Sequence, residues 1–238
     1  MFDVMIFTTG TPLWKIIVSV VMAYLLGNIS PSIILGKLHG IDIKKEGSGN
    51  AGTTNTLRVF GTKAGLLVFA GDCLKCIFAV LLVRLLFGQS HGDIIYLLCL
   101  YTAAGAILGH NYPFYMGFRG GKGIAVTAGF VLSFHPYFII LGVLMFFGIF
   151  FATHYVSLGS LLVYVSLLIE MIICGQCGVF QGMSQANLIE MYILMSALTA
   201  LAFWKHRSNI VRLIHGEERK TYLTKKNKLD VEKKEQSN

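Results

Sequence analysis

Charge is scarce in this chain. Only 13% of its 238 residues are Asp, Glu, Lys or Arg, while 55% are hydrophobic. A soluble domain carries about 25% charged residues, so a soluble globular protein is excluded. A cleaved leader is not expected, because no basic segment precedes the first apolar run and no small-x-small site follows it. Internal repeats are absent, as is any polar block large enough for a separate soluble domain. Cysteine is sparse too. Four of its five residues make two C-x-x-C pairs, Cys73/Cys76 and Cys174/Cys177. The pairs fall in different apolar runs and cannot converge on one ion, so no metal site is expected. The "CGQC" pair remains open to a disulfide or to ordinary packing.

What is present instead is apolar length. Residues 16–36 carry no charge and reach the roughly 20 residues that cross a bilayer as a helix. Further apolar runs cover residues 63–88, 93–112, 121–135, 136–152, 155–174 and 187–204. The fourth and fifth are separated only by His135 and Pro136, and Pro136 disfavours helical geometry at the residue before it. The expected fold is an all-α integral membrane protein with seven transmembrane helices. One polytopic domain spans residues 1–218, and residues 219–238 form a charged, solvated tail.

The formal net charge of +8 invites a nucleic-acid reading, but its distribution points elsewhere. With the N-terminus outside and seven crossings, residues 39–62, 111–122 and 205–238 lie inside. Of the 20 Lys and Arg, all but Lys15, Lys75 and Arg84 then fall on that side or at its boundary. That is the positive-inside asymmetry of membrane proteins. The basic tail is suited to anionic lipid, and no nucleic-acid partner is implied.

The same threading gathers three unusual polar runs on one face. The first, "IDIKKEGSGNAGTTNTLRVFGTK", contains most of a phosphate-binding P-loop but has Thr53 where that loop needs lysine. It also lies between membrane helices rather than between a strand and a helix, so a nucleotide triphosphatase is not supported. Its glycines Gly49 and Gly52 leave backbone amides free to curl around an anion. Ser48, Asn50, Thr54 and Asn55 add neutral donors, and Arg58 adds a guanidinium that pairs bidentately with phosphate. In the second run, "GHNYPFYMGFRGGKG", Arg119 and Lys122 stand among Gly120, Gly121 and Gly123. In the third, "KHRSNIVRLIHGEE", His206, Asn209 and Arg212 recur at three-residue spacing over one helix face. His110 reads equally as a ligand contact or a structural helix-end residue. Asp72 and Lys75, three apart within the second run of apolar residues, suit a buried ion pair beneath the site.

These motifs carry a resemblance. "GSGNAGTTN" with Arg58 and "GDCLK", then "GHNYPFYMGFRGGKG", then "KHRSNIVRLIHGEE" resemble, in order, the three signatures of the acyl-phosphate:glycerol-3-phosphate acyltransferases, the bacterial PlsY family. The departures, Cys76 and Asn28, touch helix packing rather than the loops. The resemblance implies an enzyme of the bacterial inner membrane, with its site loops and C-terminus cytoplasmic. It implies transfer of an acyl group from acyl-phosphate to the 1-hydroxyl of sn-glycerol 3-phosphate, an acyl-phosphate-producing enzyme upstream, and no cofactor. Thioester-using acyltransferases have H-x-x-x-x-D, and none of the seven histidines here begins that pattern. Direct transfer is expected, with His206, Asn209, Lys122 and Arg58 as the acting residues. The rival from another class is a phosphate-ester transporter, which predicts midplane binding and inverted repeats.

Overall fold

A computed structural model describes residues 12–90 and 92–223; most of the basic tail lies outside them. Its helices are α1 (Leu13–Asn28), α2 (Pro31–Leu38), α3 (Thr53–Phe60), α4 (Thr62–Phe87), α5 (Ile95–Asn111), α6 (Ile124–Phe134), α7 (Pro136–Thr153), α8 (Val156–Gln176), α9 (Gln185–Lys205) and α10 (Arg207–Ile214). A helix occupies each of the seven apolar runs. Five stretches are long and apolar enough to cross a membrane: Leu13–Leu38, α4, α7, α8 and α9. α5, with 17 residues, is about 25 Å long at 1.5 Å per residue. α6, with 11, is shorter still.

The first apolar run is not one continuous helix. Pro31 has no N–H to continue α1 and instead takes the first position of α2, with Ile29 and Ser30 extended between them. The break exposes carbonyls that hydropathy cannot see. Lys75 Nζ from α4 donates to the carbonyl oxygens of Gly27, at 3.0 Å, and Ile29, at 2.8 Å. The separation of α6 from α7 falls where Pro136 places it. His135 is extended (φ −155°, ψ 143°), and Arg84 satisfies the Phe134 carbonyl left open there, at 2.5 Å.

α5 lies at the centre, with Leu97, Leu98, Leu100, Ala103 and Ala106 fully enclosed. α1 crosses it backbone to backbone, because Gly27, Gly105 and Gly109 leave no side chain between them. A Cβ on Gly109 would strike the Tyr24 carbonyl, and one on Gly105 the Val20 carbonyl. Small residues permit such close approach where lipid provides no hydrophobic drive to hold helices together. The outward faces of α4 and α7 expose Leu74, Phe78, Leu81, Leu85, Ile140 and Leu144, as lipid-facing surfaces do. The five cysteines, including Cys174 and Cys177, are unpaired thiols.

Candidate active site

The three polar runs meet at one end of the bundle, where the C-termini of α1, α5 and α9 face the N-termini of α4, α6 and α8. They line a cavity of about 250 Å³. Of the residues singled out in the sequence, Ser48, Asn50, Gly52, Thr54, Asn55, Arg58, Lys122, Gly123, His206, Asn209 and Arg212 border it, as does His110. Gly49, Gly120 and Gly121 do not border it. Arg119 is exposed in the loop and does not border the cavity.

The glycine-rich loop works differently from a row of free amides. Asn55 has two amide hydrogens and two acceptor positions, and all four are committed inside the loop. Its Nδ2 donates to the Ile43 and Glu46 carbonyls, both at 3.0 Å. Its Oδ1 accepts from the Ser48 N–H at 2.7 Å and the Ser48 hydroxyl at 3.1 Å. The Gly49 and Gly52 amides bond to the Glu46 and Asn50 carbonyls. Asn55 therefore shapes the loop. The donors left for an anion include those of the α3 N-terminus, whose N-cap Gly52 offers no side-chain cap. Helix N-termini concentrate open N–H groups and positive potential. Thr53, standing where a P-loop would have lysine, keeps its Oγ1 buried with no hydrogen-bond partner among the described residues.

The "GGKG" stretch seats Lys122. The Gly120 and Gly121 amides bond to the Asn111 and His110 carbonyls, each at 3.0 Å. A Cβ on Gly121 would collide with the His110 ring, so only glycine lets the loop lie on the end of α5. Gly123 takes φ +84° to start α6. His110 is held in turn, its Nδ1 lying 3.2 Å from Asp72 Oδ1 and 3.0 Å from Lys75 Nζ. The Asp72–Lys75 pair closes at 2.7 Å. This buried group links the broken first helix, α4 and α5 beneath the loop.

Lys122 donates to Asn209 Oδ1. Burial first, then repulsion from Arg212, Lys205 and Arg58, opposed by attraction to Glu218, bring its pKa down to about 8. Asn209 Nδ2 donates to Glu218 Oε1 at 2.7 Å. The same carboxylate accepts from the Ser157 hydroxyl at 3.1 Å and from Arg212 Nε at 2.8 Å. Glu218 is thus the hub that orders this wall, although it closed the third motif without drawing notice as a site residue. A carboxylate in "HGEE" looks like ordinary surface; its burial (9% exposed) is visible only in three dimensions.

His206 caps α9 with its Nδ1 2.8 Å from the Ala202 carbonyl. A carbonyl cannot donate, so the proton sits on Nδ1 and Nε2 keeps its lone pair. Burial, then the charge of Lys122, lower the imidazole pKa to about 4. Burial, then the Arg219 and Arg212 charges, also lower that of Arg58, with Glu218 opposing. Cations dominate the cavity wall: Arg58, Lys122, Arg212 and Arg219 face it, while its Glu218 is engaged by three donors and its Asp72 pairs with Lys75.

A second cavity, of about 370 Å³ and almost wholly apolar, adjoins the first. Thr53, Thr54, Phe69, Ile124, Phe146, Val156 and Ser160 border both. Several lining side chains, among them Leu66, Leu132, Val143 and Phe147, are also exposed on the outer surface.

A cation-lined cavity joined to an apolar one, within a helical multi-pass membrane protein, has the form of a site for a molecule with an anionic end and an apolar end. The sequence model described as glycerol-3-phosphate acyltransferase matches residues 17–216, and the chain belongs to that family. It is 40% identical to the glycerol-3-phosphate acyltransferase of Clostridioides difficile (strain 630), over 87% of this chain and 96% of that one. It is 37% identical to glycerol-3-phosphate acyltransferase 2 of Bacillus cereus (strain ATCC 10987 / NRS 248), with the same coverage. The crystal structure of PlsY (YgiH), an integral membrane glycerol 3-phosphate acyltransferase, superposes in its glycerol 3-phosphate form with a TM-score of 0.75 at 33% identity. That match covers 87% of this chain and 96% of the other. The lysophosphatidic acid form gives 0.73 at the same identity, covering 88% and 96%.

Proposed function

We propose that this chain transfers an acyl group from acyl-phosphate to the 1-hydroxyl of sn-glycerol 3-phosphate, releasing 1-acyl-sn-glycerol 3-phosphate and inorganic phosphate. The observation that carries this reading is the junction of the two cavities. An acyl-phosphate has a phosphate at one end and a hydrocarbon chain at the other, and the shared wall separates environments suited to each. The family supports the acceptor; the donor rests on this geometry and on the motifs.

In the transfer, the acceptor hydroxyl oxygen bonds to the acyl carbon while the bond from that carbon to the phosphate oxygen breaks. The mixed anhydride is already activated, so positioning and charge stabilisation carry the step. The α3 N-terminus, Thr53, Arg58 and Arg212 hold phosphate groups, and Lys122 stabilises the oxyanion or the departing phosphate. The hydroxyl proton goes to that phosphate. The departing group is inorganic phosphate, a stronger base than an imidazole whose pKa is about 4. His206 Nε2 accepts a hydrogen bond from the hydroxyl and aims it.

His206→Gln should then lose only about tenfold in turnover, since loss of a general base costs about 100-fold or more. The acid limb of its pH–rate profile should match the wild type's, because that limb belongs to the donor. Abolished turnover with unchanged substrate binding would make histidine the base.

We further propose seven crossings of the bacterial inner membrane, with the N-terminus outside and the site loops and C-terminus cytoplasmic; the basic-residue asymmetry supports this. In a background without native cysteines, single cysteines at Glu46 and Glu217, both exposed, should be shielded from an impermeant thiol reagent in right-side-out vesicles. Labelling of either from outside would overturn the threading.

The deciding experiment is a phosphate-release assay on purified protein with acyl-phosphate and glycerol 3-phosphate. Release that depends on both substrates is expected. Proteoliposome uptake of glycerol 3-phosphate without phosphate release would decide for a transporter.

A further inference from the structure

Residues 219–223 follow the third motif and, with Glu218 at its end, lie beyond the family match, which ends at residue 216. The sequence assigned 219–223 to the solvated tail, yet these residues cross the site in contact with four separate parts of the chain. Arg219 Nη1 donates to the Gly47 carbonyl at 3.1 Å. The Thr221 N–H donates to the His154 carbonyl at 2.9 Å, and the Tyr222 ring lies 5.1 Å from that of His154. Thr62 Oγ1 donates to the Leu223 carbonyl at 3.1 Å. Arg58 Nη2 donates to Thr221 Oγ1 at 2.9 Å and reaches the Arg219 carbonyl at 3.4 Å. Glu218 and Arg219 border the polar cavity, Thr221 and Leu223 the apolar one. The segment is therefore a strap over the junction between them.

The contacts made by Arg58 are informative for what they omit. Its partners are a hydroxyl and a carbonyl, both neutral. A carboxylate there would hold the guanidinium equally well but would neutralise it, and an incoming phosphate would have to compete. Neutral acceptors fix the plane of the group while leaving its charge in place, and among the described residues Nε and Nη1 make no hydrogen bond. A guanidinium gives its full bidentate interaction only when its fork faces the phosphate. Thr221 is itself 3% exposed and anchored through its backbone at the α7–α8 corner, so it is a rigid acceptor.

Resting on the acyltransferase reading above, we propose that Thr221 is a positioning residue. Through its hydroxyl it presents Arg58 to a substrate phosphate, and the strap that carries it forms one wall of both cavities. It acts on binding rather than on the chemical step. The side-chain shape matters little and the hydroxyl matters most.

The test compares Thr221→Val, which keeps the shape, with Thr221→Ser, which keeps the hydroxyl. Dissociation constants for glycerol 3-phosphate and for inorganic phosphate are measured by calorimetry on the full-length protein, beside its melting temperature. Thr221→Val should weaken at least one of the two ligands by about tenfold or more, with the melting temperature unchanged, and Thr221→Ser should bind as wild type does. In steady state the valine variant should show the loss in KM, with kcat held within about threefold. Constants for both ligands within twofold of wild type in the valine variant overturn the proposal. So does a serine variant as impaired as the valine one, since the methyl packing would then be what counts. The phosphate-release assay on the wild type separates the two levels. Absence of release with the binding difference intact sinks the donor assignment alone.

Discussion

Lys122→Ala should reduce turnover by about 100-fold or more, the scale on which a single stabilising donor acts in a desolvated site. Lys122 is the side chain whose charge is least secure in the cavity, because burial and the surrounding cations bring its pKa to about 8. The direction of the pH effect follows. Below that value the ammonium is present and the site can stabilise a developing anion. As the pH rises through about 8 the charge is lost, and kcat/KM, which reports the free enzyme, should fall tenfold per unit. Lys122→Arg supplies a charge that does not titrate in this range, so its alkaline limb should disappear even if its rate is lower. An alanine variant within tenfold of wild type, or an unchanged limb in the arginine variant, would remove Lys122 from the chemistry.

The second large effect belongs to Glu218. Its carboxylate is the common acceptor for Ser157, Asn209 and Arg212, and Asn209 in turn holds Lys122. Glu218→Ala leaves two dipoles and a guanidinium that is 35% exposed without their partner, so the cost falls below the ~3–5 kcal/mol of a fully buried pair. Thermal unfolding in detergent should register it as a clear drop in midpoint. Glu218→Gln is gentler and more diagnostic. Glu218 raises the Lys122 pKa, so removing its charge should move the alkaline limb to lower pH. A limb that stays in place would show that the carboxylate acts on folding alone.

The meeting of the three polar runs was legible in the sequence for a plain reason. In a chain this apolar, loops dense in glycine, amide and cation stand out, and an even number of apolar runs between one loop and the next puts them at one end. Pro136 gave the α6–α7 boundary because its effect on the preceding residue is local. Other features were hidden because they depend on distant partners. Nothing in residues 16–36 says that Lys75 will accept the burden of the broken helix at Ile29. Asn55 reads as a ligand donor until its four hydrogen-bonding positions are found committed to Ile43, Glu46 and Ser48. Arg119 and Lys122 look equivalent in "FRGGKG", and only the seating of the glycines on the end of α5 turns one toward the cavity and leaves the other in solvent. The boundary drawn at residue 218 followed composition, which cannot register that Thr221 and Leu223 line a cavity.

The apolar cavity borders residues that also face outward, Leu66 and Leu132 on one side and Val143 and Phe147 on the other. A lysophospholipid formed at the junction would already have its tail at the threshold of the surrounding bilayer. Its departure is then a partitioning step, sideways into lipid, while the inorganic phosphate leaves through water. On the proposed reaction the two products never compete for one exit, and the host membrane becomes the sink that draws turnover forward. Dilute micelles and thick lipid phases should consequently yield different rates from the same protein, with no change in any residue.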